Sequence, residues 1–253
     1  MKVSFLGAQL LSAEIFEGVE IFYTSPISNI NSITRGGVPI IFPQFGNFGM
    51  LKKHGFVRDL NWVKLDSKII NGEEIVKYSL ITSKYEQLSW DFEAKLTLTF
   101  KLIKNVSLSI NLMIENIGNE SFSFTGGLHP YFCIKNRKNL KISGLEDSEY
   151  IDTDPLINSF HLNGDTGIER LFLTNTDIEV NTGYKTLMLT IEGFENWMVW
   201  NPGISGAKYI EDLPDNDWDK FVCIEPLVNN KSIILSPKEI FNGELKIKVK
   251  DEI

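Results

Sequence analysis

Between Ala94 and Ile114 the chain alternates apolar and polar residues with a period of two. Ala94, Leu96, Leu98, Phe100 and Leu102 are separated by Lys95, Thr97, Thr99 and Lys101. After a polar step at Lys104 and Asn105, Leu108, Ile110, Leu112 and Ile114 resume the pattern against Ser107, Ser109, Asn111 and Met113. Successive strand side chains point to opposite faces, so each run puts one face on a core and the other in water. Two such runs joined by a short polar turn predict an antiparallel hairpin, which Asn116, Gly118 and Asn119 then end.

Similar runs recur at EIVKYSLITS, YKTLMLTIEG, NWMVWN, FVCIEP, KSIILS and ELKIKVK, each bounded by Gly, Asn, Pro or Asp. The opening MKVSFLGAQLLSAE reads as a first strand rather than a secretory leader, because Lys2 is its only basic residue and Gln9 interrupts the apolar run. Long stretches of period 3.6 are missing, and the best helical candidate is short, at residues 205–213. Strands at this density over 253 residues predict an all-β fold, a large antiparallel sandwich or barrel. With no linker, repeat or low-complexity stretch, residues 1–253 read as a single domain.

The formal net charge of −8 argues against nucleic acid and anionic membranes as partners. No apolar run approaches the length of a membrane span. Cys133 and Cys223 lie in apolar, strand-like runs, which suits reduced, buried thiols and a cytoplasmic location. They form no CxxC pair, and the three histidines show no ligand spacing, so no metal is expected.

Three segments rich in Gly, Pro and aromatics break the alternation: TRGGVPIIFPQFG (34–46), KHGFVRDLNW (53–62) and TGGLHPYF (125–132). Loops on a rigid β scaffold are where sites concentrate. A fourth segment, FVCIEP (221–226), sets Glu225 inside an apolar strand. Its carboxylate either faces water and pairs with a lysine, or loses solvation and has a raised pKa. His129 and His54 are either packed rings with an N–H on a backbone carbonyl, or acid–base groups. His161, in NSFHLNGD, reads as surface. Arg35, followed by Gly36 and Gly37, and Arg58, just after His54, suit phosphate or carboxylate binding, or make surface ion pairs. The aromatics Phe42, Phe45, Phe48, Phe56 and Trp62 either fill a core or stack on a sugar ring.

Taken in order, TRGGVPIIFPQFG, KHGFVRDLNW, GLHPYF, WNP, EDL and FVCIEP resemble the glucose-6-phosphate 1-epimerases, a branch of the aldose 1-epimerase (galactose mutarotase-like) superfamily. The matching segments run from Arg35 to Glu225, and their order makes the set specific where each alone is weak. The resemblance implies a galactose mutarotase-like β-supersandwich of large antiparallel sheets. It implies interconversion of the α and β anomers of a hexose 6-phosphate, with no cofactor and a small-molecule sugar or sugar phosphate as partner. It implies that His129 is the general acid, Glu225 the general base and His54 a group that positions the sugar. Arg35 and Arg58 match arginines near the substrate phosphate, and Glu169, in IERLFL, stands where the family carries an aspartate.

Two departures bear on the choice of sugar. The family pattern WNPW is WNPG here, with Gly203, and RGGIPICWPWFG is RGGVPIIFPQFG, with Phe42 and Gln44. Two other functions use the same residues. A mutarotase for unphosphorylated aldoses would keep the acid and base and use the arginines structurally. A non-catalytic carbohydrate-binding sandwich would keep only the pocket, and retention of both His129 and Glu225 argues against it.

Overall fold

The alternating run that begins at Ala94 forms two ten-residue strands, Ala94–Ile103 and Ser107–Asn116. Leu96 lies opposite Ile114, Leu98 opposite Leu112 and Phe100 opposite Ile110. None of these six side chains is more than 1% exposed. Each stabilises the fold by roughly 1.5–3 kcal/mol through removal of its apolar surface from water. Asn105 turns the chain with φ of 61°, a left-handed conformation that Asn tolerates.

The computed structural model describes residues 1–16, 18–28, 33–47, 49–83, 90–153 and 165–250; His161 and Phe48 lie outside them. The hairpin belongs to an eight-stranded antiparallel sheet. A seven-stranded sheet packs against it, running from Tyr150–Asp152 through Ile168–Phe172, Asn196–Asn201, Phe221–Leu235 and Phe122–Leu128 to Ile40–Ile41. Tyr131–Cys133 also pairs with Phe221–Leu235. One cluster of buried residues draws side chains from both sheets. This is the large antiparallel β architecture expected from the alternation.

Three sequence expectations change. FVCIEP and KSIILS are two parts of one fifteen-residue strand, Phe221–Leu235. A bulge absorbs the polar break between them, as the register moves from Phe124 opposite Ile233 to Gly126 opposite Val228. The Asn196 side chain accepts the N–H of Asn230 there. The helix is only Gly203–Ala207. Beyond it the chain tightens into three-residue turns, with the N–H groups of Tyr209 and Ile210 bonded to the carbonyls of Gly206 and Ala207. TGGLHPYF is no surface loop: its first residues end the strand Phe122–Leu128, and Tyr131–Cys133 is the next strand. Among the described residues no helix is long and apolar enough to cross a membrane.

Candidate active site

Strand Phe221–Leu235 separates the core from the site by parity. Val222, Ile224 and Val228 join the cluster between the sheets. Cys223, Glu225 and Leu227 alternate with them and so point to the opposite face. An acidic residue embedded in an apolar run thus leaves the core without breaking the strand.

His129 reaches the same face from the break between two strands. The segment GVPII holds it there. The N–H groups of His129 and Tyr131 bond to the carbonyls of Pro39 and Gly37 at 2.9 Å each, and Gly127 and Leu128 pair with Ile41 and Ile40. Gly126 and Gly127 make room for neighbouring strands and not for a ligand. A Cβ on either would collide with the carbonyl oxygen of Ile41 or of Pro226.

His129 Nε2 lies 3.3 Å from Glu225 Oε1. The imidazole is 7% exposed and the glutamate 1%. His129 Nδ1 and Glu225 Oε2 are buried and have no hydrogen-bond partner. The Tyr131 ring stacks on His129 at 4.9 Å, with 14° between the planes. His54 and Trp200 pack edge-on against it, at 5.6 and 6.0 Å. Burial, and then His54, Arg58 and Arg35 in that order, holds the His129 pKa well below the usual imidazole value. Burial, and then the nearby charge of Glu169, holds the Glu225 carboxyl well above the usual carboxylate range, with Lys53 and Arg58 opposing. Burial of both groups therefore favours an uncharged pair, neutral imidazole beside carboxylic acid. That state holds the same number of protons as imidazolium beside carboxylate, so one internal proton transfer connects them.

His54 is held in a left-handed conformation, with φ of 67°. Its Nδ1 accepts the N–H of Gly46 at 3.3 Å, which leaves the neutral ring's proton on Nε2. Burial, with Arg58 next, pushes its pKa down to about 3, so it is a neutral donor near pH 7. Gln44 braces the loop that carries it. The Gln44 amide bonds the carbonyls of Gly46 and Leu51 and the N–H of Leu51, each at 3.1 Å. Gln44 is therefore a structural replacement, buried beneath the site.

The arginines are held differently. Arg35 donates from Nε to Asp212 at 3.0 Å and from Nη1 to the Tyr131 hydroxyl at 3.2 Å. Arg58 donates from Nη2 to the Lys53 carbonyl at 2.8 Å, while its buried Nε has no partner. Glu169 accepts a hydrogen bond from the Thr153 hydroxyl at 3.0 Å.

All six residues singled out in the sequence, Arg35, His54, Arg58, His129, Glu169 and Glu225, line one cavity of about 480 Å³. That volume falls within the roughly 300–1,000 Å³ of small-molecule sites. Lys53, Tyr131 and Trp200 line it too and carried no assignment from sequence. Each stands in a segment quoted above, Lys53 in KHGFVRDLNW, Tyr131 in TGGLHPYF and Trp200 in WNP. Gly203 does not line the cavity. It opens the short helix with φ of 64°, where a Cβ would meet the backbone of residues 165–167.

The sequence pattern of the family described as aldose 1-epimerase matches residues 1–248. The chain belongs to that family. Among curated relatives, a Cenchrus ciliaris protein named for glucose-6-phosphate 1-epimerase activity is 28% identical, over 97% of this chain and 80% of its own. An Escherichia coli protein of the same name is 30% identical, over 89% of this chain and 79% of its own. A solved structure named for mutarotase activity, from Salmonella typhimurium, superposes with a TM-score of 0.86 at 24% identity, over 99% of this chain and 86% of that one. Galactose 1-epimerase from Lactobacillus acidophilus superposes at 0.75 with 13% identity, over 97% and 89%. These structures establish a galactose mutarotase-like fold for this aldose 1-epimerase family member.

Proposed function

We propose that this epimerase interconverts the α and β anomers of a hexose 6-phosphate, with Glu225 as base and His129 as acid. The observation that carries the reading is the 3.3 Å approach of His129 Nε2 to Glu225 Oε1, on a wall shared with Arg35 and Arg58. The names of the curated relatives support the phosphorylated substrate.

The reaction begins when the pair's single proton sits on the imidazole. The Glu225 carboxylate takes the proton from the anomeric hydroxyl as the bond between C1 and the ring oxygen breaks. His129 gives its proton to that ring oxygen. The open aldehyde turns about the C1–C2 bond. The C5 hydroxyl then adds to the other face of the carbonyl, His129 takes the hydroxyl proton and Glu225 returns its proton to O1. No proton is gained or lost over the cycle. Each of the two groups accounts for roughly 10²–10⁴-fold of the rate.

The neutral His54 donates from Nε2 to a sugar oxygen, and Glu169 accepts from sugar hydroxyls. Trp200 offers an apolar ring face to the sugar. The buried, unpartnered Nε of Arg58 supports an anion at this wall, and Arg35 and Lys53 add positive charge beside it. We place the reaction in the cytoplasm, where the unpaired thiols Cys133 and Cys223 stay reduced.

Anomer-resolved NMR exchange on glucose, galactose and mannose 6-phosphates, beside their free sugars, tests the reading. Faster exchange of a phosphorylated hexose than of its free sugar is expected. Equal acceleration of both would favour a free-aldose mutarotase, and binding without acceleration would favour a carbohydrate-binding module.

A further inference from the structure

The sequence contains no metal-ligand spacing, yet the fold assembles a ligand set. Among the described residues, one group of three ligating side chains converges: His129, Cys223 and Glu225, with ligand atoms within 4.8 Å of one another. Cys223 and Glu225 share a face because they are two apart on one strand, and His129 arrives from another segment. Cys223 is fully buried, and the other two are at most 7% exposed. His129 Nδ1 and Glu225 Oε2 lack hydrogen-bond partners. We propose that these three side chains form a site for one thiophilic divalent cation of the Zn²⁺ type, and that the ion inhibits the enzyme by occupying acid and base together.

The distances suit such an ion. Tetrahedral zinc bonds of roughly 2.0–2.3 Å place ligand atoms about 3.3–3.6 Å apart. His129 Nε2 and Glu225 Oε1 are already 3.3 Å apart. The Cys223 sulfur has to close by at most about 1.2–1.5 Å to reach that spacing. The charges also suit it. Binding releases one proton from the carboxyl and one from the thiol to solvent. Carboxylate and thiolate then cancel the charge of the ion beside a neutral imidazole, which limits the cost of burial. Three protein ligands leave a fourth position for a water from the cavity. Sulfur and imidazole select Zn²⁺ or Co²⁺, while Mg²⁺ prefers an all-oxygen shell.

The site itself stands on geometry; its inhibitory effect rests on the acid–base reading above. An ion bound there ties up the imidazole lone pair and the carboxylate, so neither group can move a proton. Cys223 does not line the cavity, and the proposed reaction does not use it.

The test is a Co²⁺ titration of the purified protein without sugar, followed by its near-ultraviolet absorption. A thiolate-to-cobalt charge-transfer band that saturates at one ion per chain is expected. The chain has only two cysteines, so Cys133→Ala should keep the band. Cys223→Ser should lose it, bind Co²⁺ at least about tenfold more weakly and keep its metal-free anomerisation rate. Zn²⁺ should slow anomerisation of glucose 6-phosphate, reversibly on chelation, and Mg²⁺ should not. Absence of the band from both wild type and Cys133→Ala overturns the site, even if Cys223→Ser fails to fold. A band without inhibition of an active enzyme overturns the inhibitory role. Because the band is read without sugar, a failure of the mutarotase reading is separable from a failure of the metal site.

Discussion

His129 Nε2 and Glu225 Oε1 stand 3.3 Å apart on the outer face of the seven-stranded sheet, one in a break between strands and the other in mid-strand. Neither needs the other to stay in place. The His129 backbone hangs on Pro39, and Glu225 is held by the ladder opposite Met198. Substitutions at the two positions should therefore affect turnover far more than folding.

Glu225→Gln and His129→Asn should each slow glucose 6-phosphate anomerisation by at least about a hundredfold while the thermal unfolding midpoint stays near wild type. Exchange NMR on folded variants is the check. Near wild-type rates would remove these residues from the chemistry.

Arg58→Ala and Arg35→Ala should raise KM for phosphorylated hexoses more than for free glucose. The Arg58 variant is the cleaner of the two, since Arg35 also holds Asp212 and the Tyr131 hydroxyl. Parallel kinetics on both sugar classes decide the point; equal changes would make the arginines structural.

Tyr131 joins the arginine to the histidine, accepting from Arg35 while its ring stacks on His129. Tyr131→Phe keeps the ring and loses the acceptor. It should raise KM for the sugar phosphate several-fold with little change in kcat. Tyr131→Ala should lower kcat as well, because the imidazole loses its stacking partner. Steady-state kinetics that move kcat and KM together in Tyr131→Phe would contradict this division.

Gly203→Ala and Gly203→Trp should destabilise the protein, the alanine change by roughly 1–3 kcal/mol, since the position needs positive φ and has backbone where a Cβ would go. Denaturant unfolding measures it. Tighter sugar binding by Gly203→Trp at unchanged stability would show that this position does face the ligand.

Cys133 predicts an alkaline loss of stability. Burial, with a contribution from Glu20, pushes its thiol from 9.0 up to about 12. The folded state then holds a proton that the unfolded chain releases near pH 9. Its contribution is complete below that pH and falls as pH rises towards 12, by at most about 1.4 kcal/mol per pH unit. Unfolding curves of wild type and Cys133→Ala should diverge in that window, the variant being less sensitive. Parallel curves would mean an ordinary thiol.

The chain's own residues made the hairpin at Ala94 legible, because period-two patterning is local and burial enforces it on every residue of the strand. They also marked polar residues that the fold gathers at one cavity. Arg35, His54, Arg58, His129 and Glu225 each stand out against Gly, Pro or apolar neighbours, Glu169 is marked only by the family resemblance, and all six line one cavity. Local propensity at 205–213 extends past the end of the helix at Ala207, where three-residue turns take over. FVCIEP and KSIILS look separate in the sequence because the polar Asn229 and Asn230 between them imitate a turn, and only pairing across a bulge carries the strand through.

Tertiary structure alone decided what meets what. The room left by Gly126 and Gly127 is filled by the carbonyls of Ile41 and Pro226, which no local pattern reveals. Gln44 turned out to be a brace, and Gly203 a backbone requirement. Lys53 and Tyr131 lie in the motif segments, but only the folded chain turns them into the cavity. Cys223 came beside His129 and Glu225, with ligand atoms within 4.8 Å of one another, because strand parity and sheet pairing bring separate segments together. Local alternation records which face a residue takes, while partners across the sheet depend on register, and register is settled only when the whole core packs.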